Sequence, residues 1–202
     1  RDRELGSGGC SRLKTTRRTI PRWPGVMLVK DKLLLKDKGS VLVDMLKIRL
    51  DEYFFVENGS STFNSNYNFD SFKSFEPILD KFKKMAGEGF NATDFWFNVY
   101  QKGGYVKPHD HRTPHDNIKH VEHKVGAYYF KKPKGSGNIV INNKEHEIEE
   151  DDIILFKNTD IHYSKPNNTD CERIVFSVNL MKGVRNIYRE GADNEVVVEC
   201  HI

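Results

Sequence analysis

Apolar side chains recur at helical spacing in the first half of the chain. In Ser40–Phe54 and again in Pro77–Met85 they return every three or four residues, which is the period of an amphipathic helix. Glycines follow the second segment, as they do where helices end. The pattern therefore predicts two helices, and the Asn- and Ser-rich segment between them, Glu57–Asp70, predicts a loop.

From Asp94 onward the pattern changes to short runs of β-branched and aromatic residues, interrupted by Gly, Pro and Asn. Runs of this kind that follow one another without intervening helices are typical of an antiparallel sandwich or barrel. We therefore predict a mainly β fold preceded by a helical flank. The predicted strands are Phe95–Tyr100, Lys124–Lys131, Asn138–Ile141, His146–Ile148, Ile153–Phe156 and Ile174–Leu180.

Composition supports a globular protein. The chain has 202 residues, of which 37% are hydrophobic and 13 are Phe, so it can bury a core of one ordinary domain. No apolar run approaches the length of a membrane span or of a signal-peptide core. Three cysteines, Cys10, Cys171 and Cys200, have no metal-type spacing, and so few of them fit a reducing compartment. We expect a cytoplasmic protein that does not enter the membrane.

Arginine marks a boundary near the start of the chain. Six of the arginines precede Met27, whereas lysine supplies most of the positive charge afterwards. We interpret residues 1–26 as a basic leader, flexible or non-native, with a phosphate-binding arm as the alternative. The division that follows is a leader at 1–26, a helical flank at 27–92, a β core at 93–182 and a C-terminal tail at 183–202. The leader lacks interleaved aromatic residues, so we expect no nucleic-acid partner.

The eight histidines are unevenly distributed, and five of them fall within fifteen residues. Side chains alternate faces in an extended chain, so His109 and His111 point the same way and Asp110 points to the other side. Two imidazoles spaced in this way can take adjacent positions on a metal ion. His162, which follows a predicted strand and a turn, is the natural third ligand. We therefore predict a metal site formed by His109, His111 and His162.

Several motifs surround these histidines in a set order: N-x-Y, G-G-Y, H-x-H, G-x-Y-Y, G-N-I-V, D-D-I-I-L-F, H-Y-S-x-P-N and E-R-I-V-F-S-V-N. In order and spacing, the segment from Asp94 to Leu180 resembles the small 2-oxoglutarate- and Fe(II)-dependent oxygenases of bacteria and phages. The resemblance implies a double-stranded β-helix, which is a jelly-roll, cupin-like barrel, with iron at its open end. It also implies a hydroxylase that uses Fe(II), O2 and 2-oxoglutarate as cosubstrate.

The same resemblance assigns residues to 2-oxoglutarate. It implies that Arg173, on the last predicted strand, pairs with the far carboxylate, and a guanidinium is a bidentate, always-charged clamp for such a group. Asn98 and Asn179 are polar residues within apolar strands, and a bound cosubstrate would supply the partners that buried amides need. Tyr100 and Tyr128 complete the expected set. Tyr128 and the tyrosine after it point to opposite faces, so at most one of the two lines the interior.

Two alternatives stay open at this stage. The larger superfamily binds iron through two histidines and a carboxylate, whereas position 111 is His, and Asp110 could reach a metal only if the backbone bulged. A cupin-type metalloprotein, either a dioxygenase or an isomerase, would use the H-D-H motif after Gly103, although the expected glutamate is missing. In a non-catalytic jelly-roll binding module the histidines would be incidental. The substrate, a small molecule or a protein side chain, and the oligomeric state stay open.

Overall fold

The structure is a computed structural model, and it describes residues 28–51, 54–57, 59–64, 72–117, 121–182, 186–190 and 195–199. The leader expected at residues 1–26 lies outside the described residues. No helix within the described ranges is long and apolar enough to cross a membrane.

The described part of the chain contains two α-helices, α1 (Lys38–Asp51) and α2 (Glu76–Ala86), and is otherwise built mainly from strands. The strands are β1 (Val29–Lys32), β2 (Phe54–Glu57), β3 (Ser60–Asn64), β4 (Phe90–Tyr100), β5 (Val106–His109), β6 (Glu122–Lys131), β7 (Ile139–Ile141), β8 (Lys144–His146), β9 (Asp152–Lys157), β10 (His162–Ser164), β11 (Arg173–Lys182), β12 (Asn186–Glu190) and β13 (Glu195–Glu199). Two short 3-10 turns, Lys73–Phe75 and Pro114–Asn117, complete the elements. The fold is therefore mainly β, as predicted.

Both predicted helices are present, and local capping accounts for their ends. Helix α1 begins after Asp37, whose side chain accepts a hydrogen bond from the Ser40 N–H at 2.9 Å. Its predicted end is wrong, because Phe54 already belongs to strand β2. Helix α2 ends at Gly87, which has a φ of +100° and donates its N–H to the Lys83 carbonyl at 3.0 Å.

Five of the six predicted strand runs coincide with β4, β6, β7, β9 and β11. The sixth, His146–Ile148, overlaps β8 only at His146. The predicted loop Glu57–Asp70 is wrong over β3, which pairs with β4. Strands β1, β5 and β10, which the pattern does not predict, are three or four residues long and carry polar side chains. Runs this short have too few residues to display an apolar alternation, so they form strands because they pair with a neighbouring strand.

Most of the strands form two antiparallel sheets. The larger has seven strands in the order β1-β9-β6-β11-β4-β3-β2, and the smaller has four in the order β5-β10-β7-β8. Strands β12 and β13 pair with each other as a separate hairpin within the segment predicted as a C-terminal tail. The segment 27–92 is not only helical, because β1, β2 and β3 join the larger sheet.

The larger sheet is covered on both faces. One face packs against α1 and α2 through an apolar cluster that includes Phe82, Phe95 and Phe176. The other face packs against the smaller sheet, where Ile139 and Ile141 of β7 belong to a second buried cluster. Alternate side chains of each central strand therefore pack against two different layers, the helices and the smaller sheet.

Gly126 allows α2 to pack closely against the larger sheet. A Cβ added at Gly126 would lie 2.5 Å from Cε1 of Phe82 and 2.8 Å from Cγ1 of Val178. Any larger residue at this position would push the helix away from the sheet, since neither neighbour is exposed to solvent.

Candidate metal centre

The smaller sheet brings the three predicted histidines together. His109 ends strand β5, His162 begins strand β10, and the two are register partners in the antiparallel pair. His111 follows two residues after His109, and its N–H donates to the Asn158 carbonyl at 2.8 Å. One ligand atom from each of the three residues lies within 4.8 Å of the others. These are distances at which one metal ion can contact three ring nitrogens.

Hydrogen bonds set the orientation of all three rings. The Nδ1 atoms of His109 and His162 lie 2.8 Å and 2.9 Å from the main-chain oxygens of Lys107 and Asp160. Nδ1 of His111 lies 2.9 Å from Oδ1 of the Asn179 side chain. A carbonyl oxygen can only accept, so each Nδ1 must carry the proton and each Nε2 keeps its lone pair.

The three free nitrogens face one another. Nε2 of His111 lies 3.3 Å from Nε2 of His109, and the ring centres of His109 and His162 are 4.3 Å apart. Burial lowers the pKa of His111 to about 4 and that of His162 to about 3, so both rings are neutral at pH 7. Neutral imidazoles whose lone pairs converge repel one another unless a cation lies between them. The donor set therefore fits a divalent transition metal such as Fe(II).

Asp110 lies outside this cluster. Its carboxylate receives hydrogen bonds from Nε of Arg112 at 2.7 Å, and this contact lowers the pKa of the Asp110 carboxyl. The described residues that could hold a metal together do not include it. The donor set is therefore three histidines, without a carboxylate.

A cavity of about 240 Å³ opens beside the three histidines and extends between the two sheets. Its walls combine tyrosines, other aromatic rings and small apolar side chains. Asn98, Ser164 and Ser177 supply polar groups, and no Asp, Glu, Lys or Arg is among the described residues that line it. Any charge on a bound molecule must therefore be balanced at the ends of the cavity rather than along its walls.

Arg173 lies beside the cavity without lining it. It is 1% exposed, and its guanidinium carbon lies 4.1 Å from the centre of the Tyr100 ring. The guanidinium donates to Oγ of Ser164 at 3.1 Å and to the main-chain oxygens of Lys165 and Gly137 at 3.0 and 3.3 Å, as well as to that of Ser136. Tyr100 and Ser164 do line the cavity. A buried positive charge therefore lies directly behind two side chains that line the cavity.

No protein-family model matches the sequence, and no curated protein matches it by sequence. Solved structures do match by shape. The viral collagen prolyl hydroxylase of Paramecium bursaria Chlorella virus-1, solved as a 2-oxoglutarate complex, has a TM-score of 0.58 at 17% identity, over 77% of this chain and 95% of that one. A Pseudomonas putida prolyl-4-hydroxylase has a TM-score of 0.55 at 13% identity, over 77% and 91%. SnoK, a non-heme α-ketoglutarate-dependent carbocyclase of nogalamycin biosynthesis, has a TM-score of 0.61 at 10% identity, over 82% and 83%.

The chain has the fold of 2-oxoglutarate- and Fe(II)-dependent oxygenases. The similarity in shape confirms the resemblance that the motifs indicated, although the identities are low. The proteins that share this oxygenase fold include hydroxylases, a carbocyclase and an epimerase, so the fold leaves the reaction open.

Within this oxygenase fold, some of the other residues expected to contact 2-oxoglutarate line the cavity and others do not. Asn98 and Tyr100 of β4 line the cavity. Tyr128 faces the helices instead, and its hydroxyl donates to Oδ1 of Asp151 at 2.8 Å. Tyr129 lines the cavity, because the pleat turns alternate residues to that face. Asn179 contacts His111 rather than the cavity.

Sequence reasoning did not identify Trp96 or Ser164 as part of the site. The Trp96 ring stacks on His111 with centres 5.7 Å apart, and it lines the cavity. The alternation of faces along β4 could have identified Trp96, since it lies on the same face as Asn98 and Tyr100. The same period relates Ser164 to His162 two residues earlier, but β10 is a three-residue strand that the sequence pattern does not predict.

Proposed function

We propose that this protein is a 2-oxoglutarate- and Fe(II)-dependent oxygenase that hydroxylates a substrate still to be identified. The observation that carries the proposal is a cavity that combines two features. Three neutral imidazoles converge on it, and a buried guanidinium lies behind Tyr100 and Ser164, which line it. A diacid that binds a cation through one carboxylate and needs a countercharge for the second fits this arrangement.

The metal would be held by Nε2 of His109, His111 and His162. Bound Fe(II), together with 2-oxoglutarate and O2, supplies the oxidising chemistry of such enzymes. The histidines contribute neutral ligands in a set orientation, each held through Nδ1. Phe156 packs edge-on against His162, with ring centres 4.6 Å apart, and shields that ligand from water.

The far carboxylate of 2-oxoglutarate would lie at the Arg173 end. The hydroxyl of Ser164 and the ring of Tyr100 lie between the guanidinium and the cavity, so they would contact the carboxylate while Arg173 supplies the charge. Asn98 and Tyr129 would contact the body of the cosubstrate, since both line the cavity. Because no charged side chain is among the described residues that line the cavity, none of them would compete with the metal or with Arg173 for the two carboxylates.

The proposal extends to architecture and location. We infer that residues 93–182 form a double-stranded β-helix core, and that 27–92 and 183–202 are additions to it. Strands β1, β2 and β3 lie towards the two edges of the larger sheet, and β12 and β13 form a separate hairpin, which supports this division. The exposed free thiol of Cys171 is in keeping with a reducing, cytoplasmic setting.

The test is anaerobic titration calorimetry of 2-oxoglutarate into protein loaded with Fe(II), followed by measurement of succinate formation after air is admitted. We expect saturable binding that requires the metal, and slow succinate formation even without a substrate. Metal binding without any affinity for 2-oxoglutarate would favour a cupin-type metalloprotein instead. Absence of metal binding would favour a non-catalytic binding module.

A further inference from the structure

The three imidazoles of the candidate metal centre are not held in the same way. Main-chain oxygens accept the Nδ1–H of His109 and of His162. Only His111 depends on a side chain, because its Nδ1 lies 2.9 Å from Oδ1 of Asn179. A substitution can therefore change the support of His111 without altering the backbone.

An amide side chain can present either oxygen or nitrogen to a histidine, so something must set its orientation. Nδ2 of Asn179 donates to Oδ2 of Asp94 at 3.2 Å. A carboxylate accepts hydrogen bonds and has none to give, so the amide nitrogen must face Asp94. The amide oxygen then faces His111, which must in turn carry its proton on Nδ1.

Strand pairing preorganises this arrangement. Asp94 of β4 and Asn179 of β11 are register partners, at the point where the pairing of the two strands shifts. Trp96, two residues after Asp94 on the same face, stacks on the His111 ring at an interplanar angle of 17°. The ring of His111 is thus fixed by a stacking contact on its plane and by a hydrogen bond at its edge.

We propose that Asp94 is a positioning residue for the metal centre: through Asn179 it selects the Nδ1–H tautomer of His111 and directs the Nε2 lone pair towards His109 and His162. The inference rests on the proposed function, because it assigns that lone pair to a metal. It also places a carboxylate two hydrogen bonds away from the metal ligands, although none belongs to the donor set. Outer partners of this kind raise the basicity of the ligand they hold.

The test uses ¹⁵N NMR of the histidine side chains in metal-free protein, together with Fe(II) affinity measured anaerobically. In the wild type, His111 should show only the Nδ1–H tautomer. In Asp94→Asn either amide group of residue 94 can face Asn179, so the Nε2–H tautomer of His111 should become populated. Fe(II) affinity should then fall about tenfold or more, the size usual for loss of an outer partner. The tautomers of His109 and His162 should not change.

Asp110→Asn is the matched control, because it removes the same charge next to the ligands without touching the Nδ1 partner of His111. It should leave both the tautomer and the Fe(II) affinity at wild-type values. Asn179→Ala removes the acceptor itself and should reproduce the effect of Asp94→Asn should the latter fold poorly. Wild-type tautomers and affinity in both variants would overturn the inference. A wild type that binds no Fe(II) would refute the proposed function instead, and the tautomer data would still decide whether Asp94 controls His111.

Discussion

The two faces of the larger sheet are built from the same strands and differ in chemistry. On strand β11, Phe176, Val178 and Leu180 turn towards the helices and are wholly buried in an apolar cluster. Ser177 and Asn179, which alternate with them, turn towards the smaller sheet, where the cavity lies. One strand thus contributes to the core on one face and to the candidate site on the other.

The face towards the helices mainly stabilises the fold, and the face towards the cavity carries the groups of the candidate site. The face towards the helices contains close ring contacts, such as 5.4 Å between the centres of Phe95 and Phe176, and its burial stabilises the fold. The face towards the cavity buries Asn98 and Ser177, polar groups that cost free energy unless they find partners. Sites that break the rules of a well-packed core in this way are commonly functional.

Phe176→Ala tests the helix-facing side and should have the largest effect. The side chain is 0% exposed, so its truncation should lower the free energy of unfolding by about 3–5 kcal/mol. Urea unfolding followed by circular dichroism measures it, with Ser177→Ala as the control from the other face. The folded fraction of Phe176→Ala should retain wild-type Fe(II) affinity. A selective loss of affinity there would show that the two faces are coupled.

His162→Ala tests the cavity-facing side. Because it removes one of three ligands, Fe(II) affinity should fall by more than the roughly 10–100-fold that loss of an outer partner costs. The metal-free protein should stay folded with a somewhat lower melting temperature, because the truncation removes a buried ring that packs against Phe156. Anaerobic calorimetry and thermal unfolding measure the two quantities. Unchanged affinity would remove His162 from the metal site.

Arg173→Met separates the two ends of the cavity. Loss of a buried charge that pairs with a carboxylate typically costs about 2–5 kcal/mol, so 2-oxoglutarate should bind roughly thirtyfold more weakly or worse. Fe(II) affinity should stay near wild type. Arg173→Lys should recover part of the binding, since it keeps the charge but loses the planar fork. Equal affinity of all three proteins for 2-oxoglutarate would exclude Arg173 from the site.

Asp110→Ala should have the smallest effect, although it alters the residue between two metal ligands. Its carboxylate bonds to exposed Arg112, and surface pairs of this kind contribute little to stability because solvent screens them. We expect Fe(II) affinity within about twofold of wild type by the same calorimetry. Loss of the metal in this variant alone would mean that the side chain of Asp110, and not those of its two neighbours, faces the metal.

Much of the fold follows from local pattern. The long strands β4, β6, β9 and β11 are buried on both faces, and continuous apolar runs such as Ile153–Phe156 mark them in the sequence. The hairpin of β2 and β3 was missed because its residues follow neither period, and β3 forms by pairing with β4. The end of α1 was placed too late for the same reason, since Phe54 is recruited by a partner strand.

Much of the candidate site follows from spacing in the same way. The period of two places His109 and His111 on one side and Asp110 on the other, and the distances agree. Spacing does not tell which of Tyr128 and Tyr129 faces the cavity, because the alternation shows only that the two side chains lie on opposite faces of the strand. Which face of β6 turns towards the cavity depends on where the helices pack.

The sequence by itself determined the residue types of the candidate site, their spacing along each strand and the mainly β character of the chain, because these depend on neighbours a few residues apart. Tertiary structure alone decided which atoms meet. The contact of Asp94 with Asn179 joins strands that are distant in sequence, the stacking of Trp96 on His111 joins β4 to the segment after β5, and the position of Arg173 behind Ser164 joins the two sheets. Such contacts depend on the register between strands, and register is set by the burial of whole sheets rather than by any local signal.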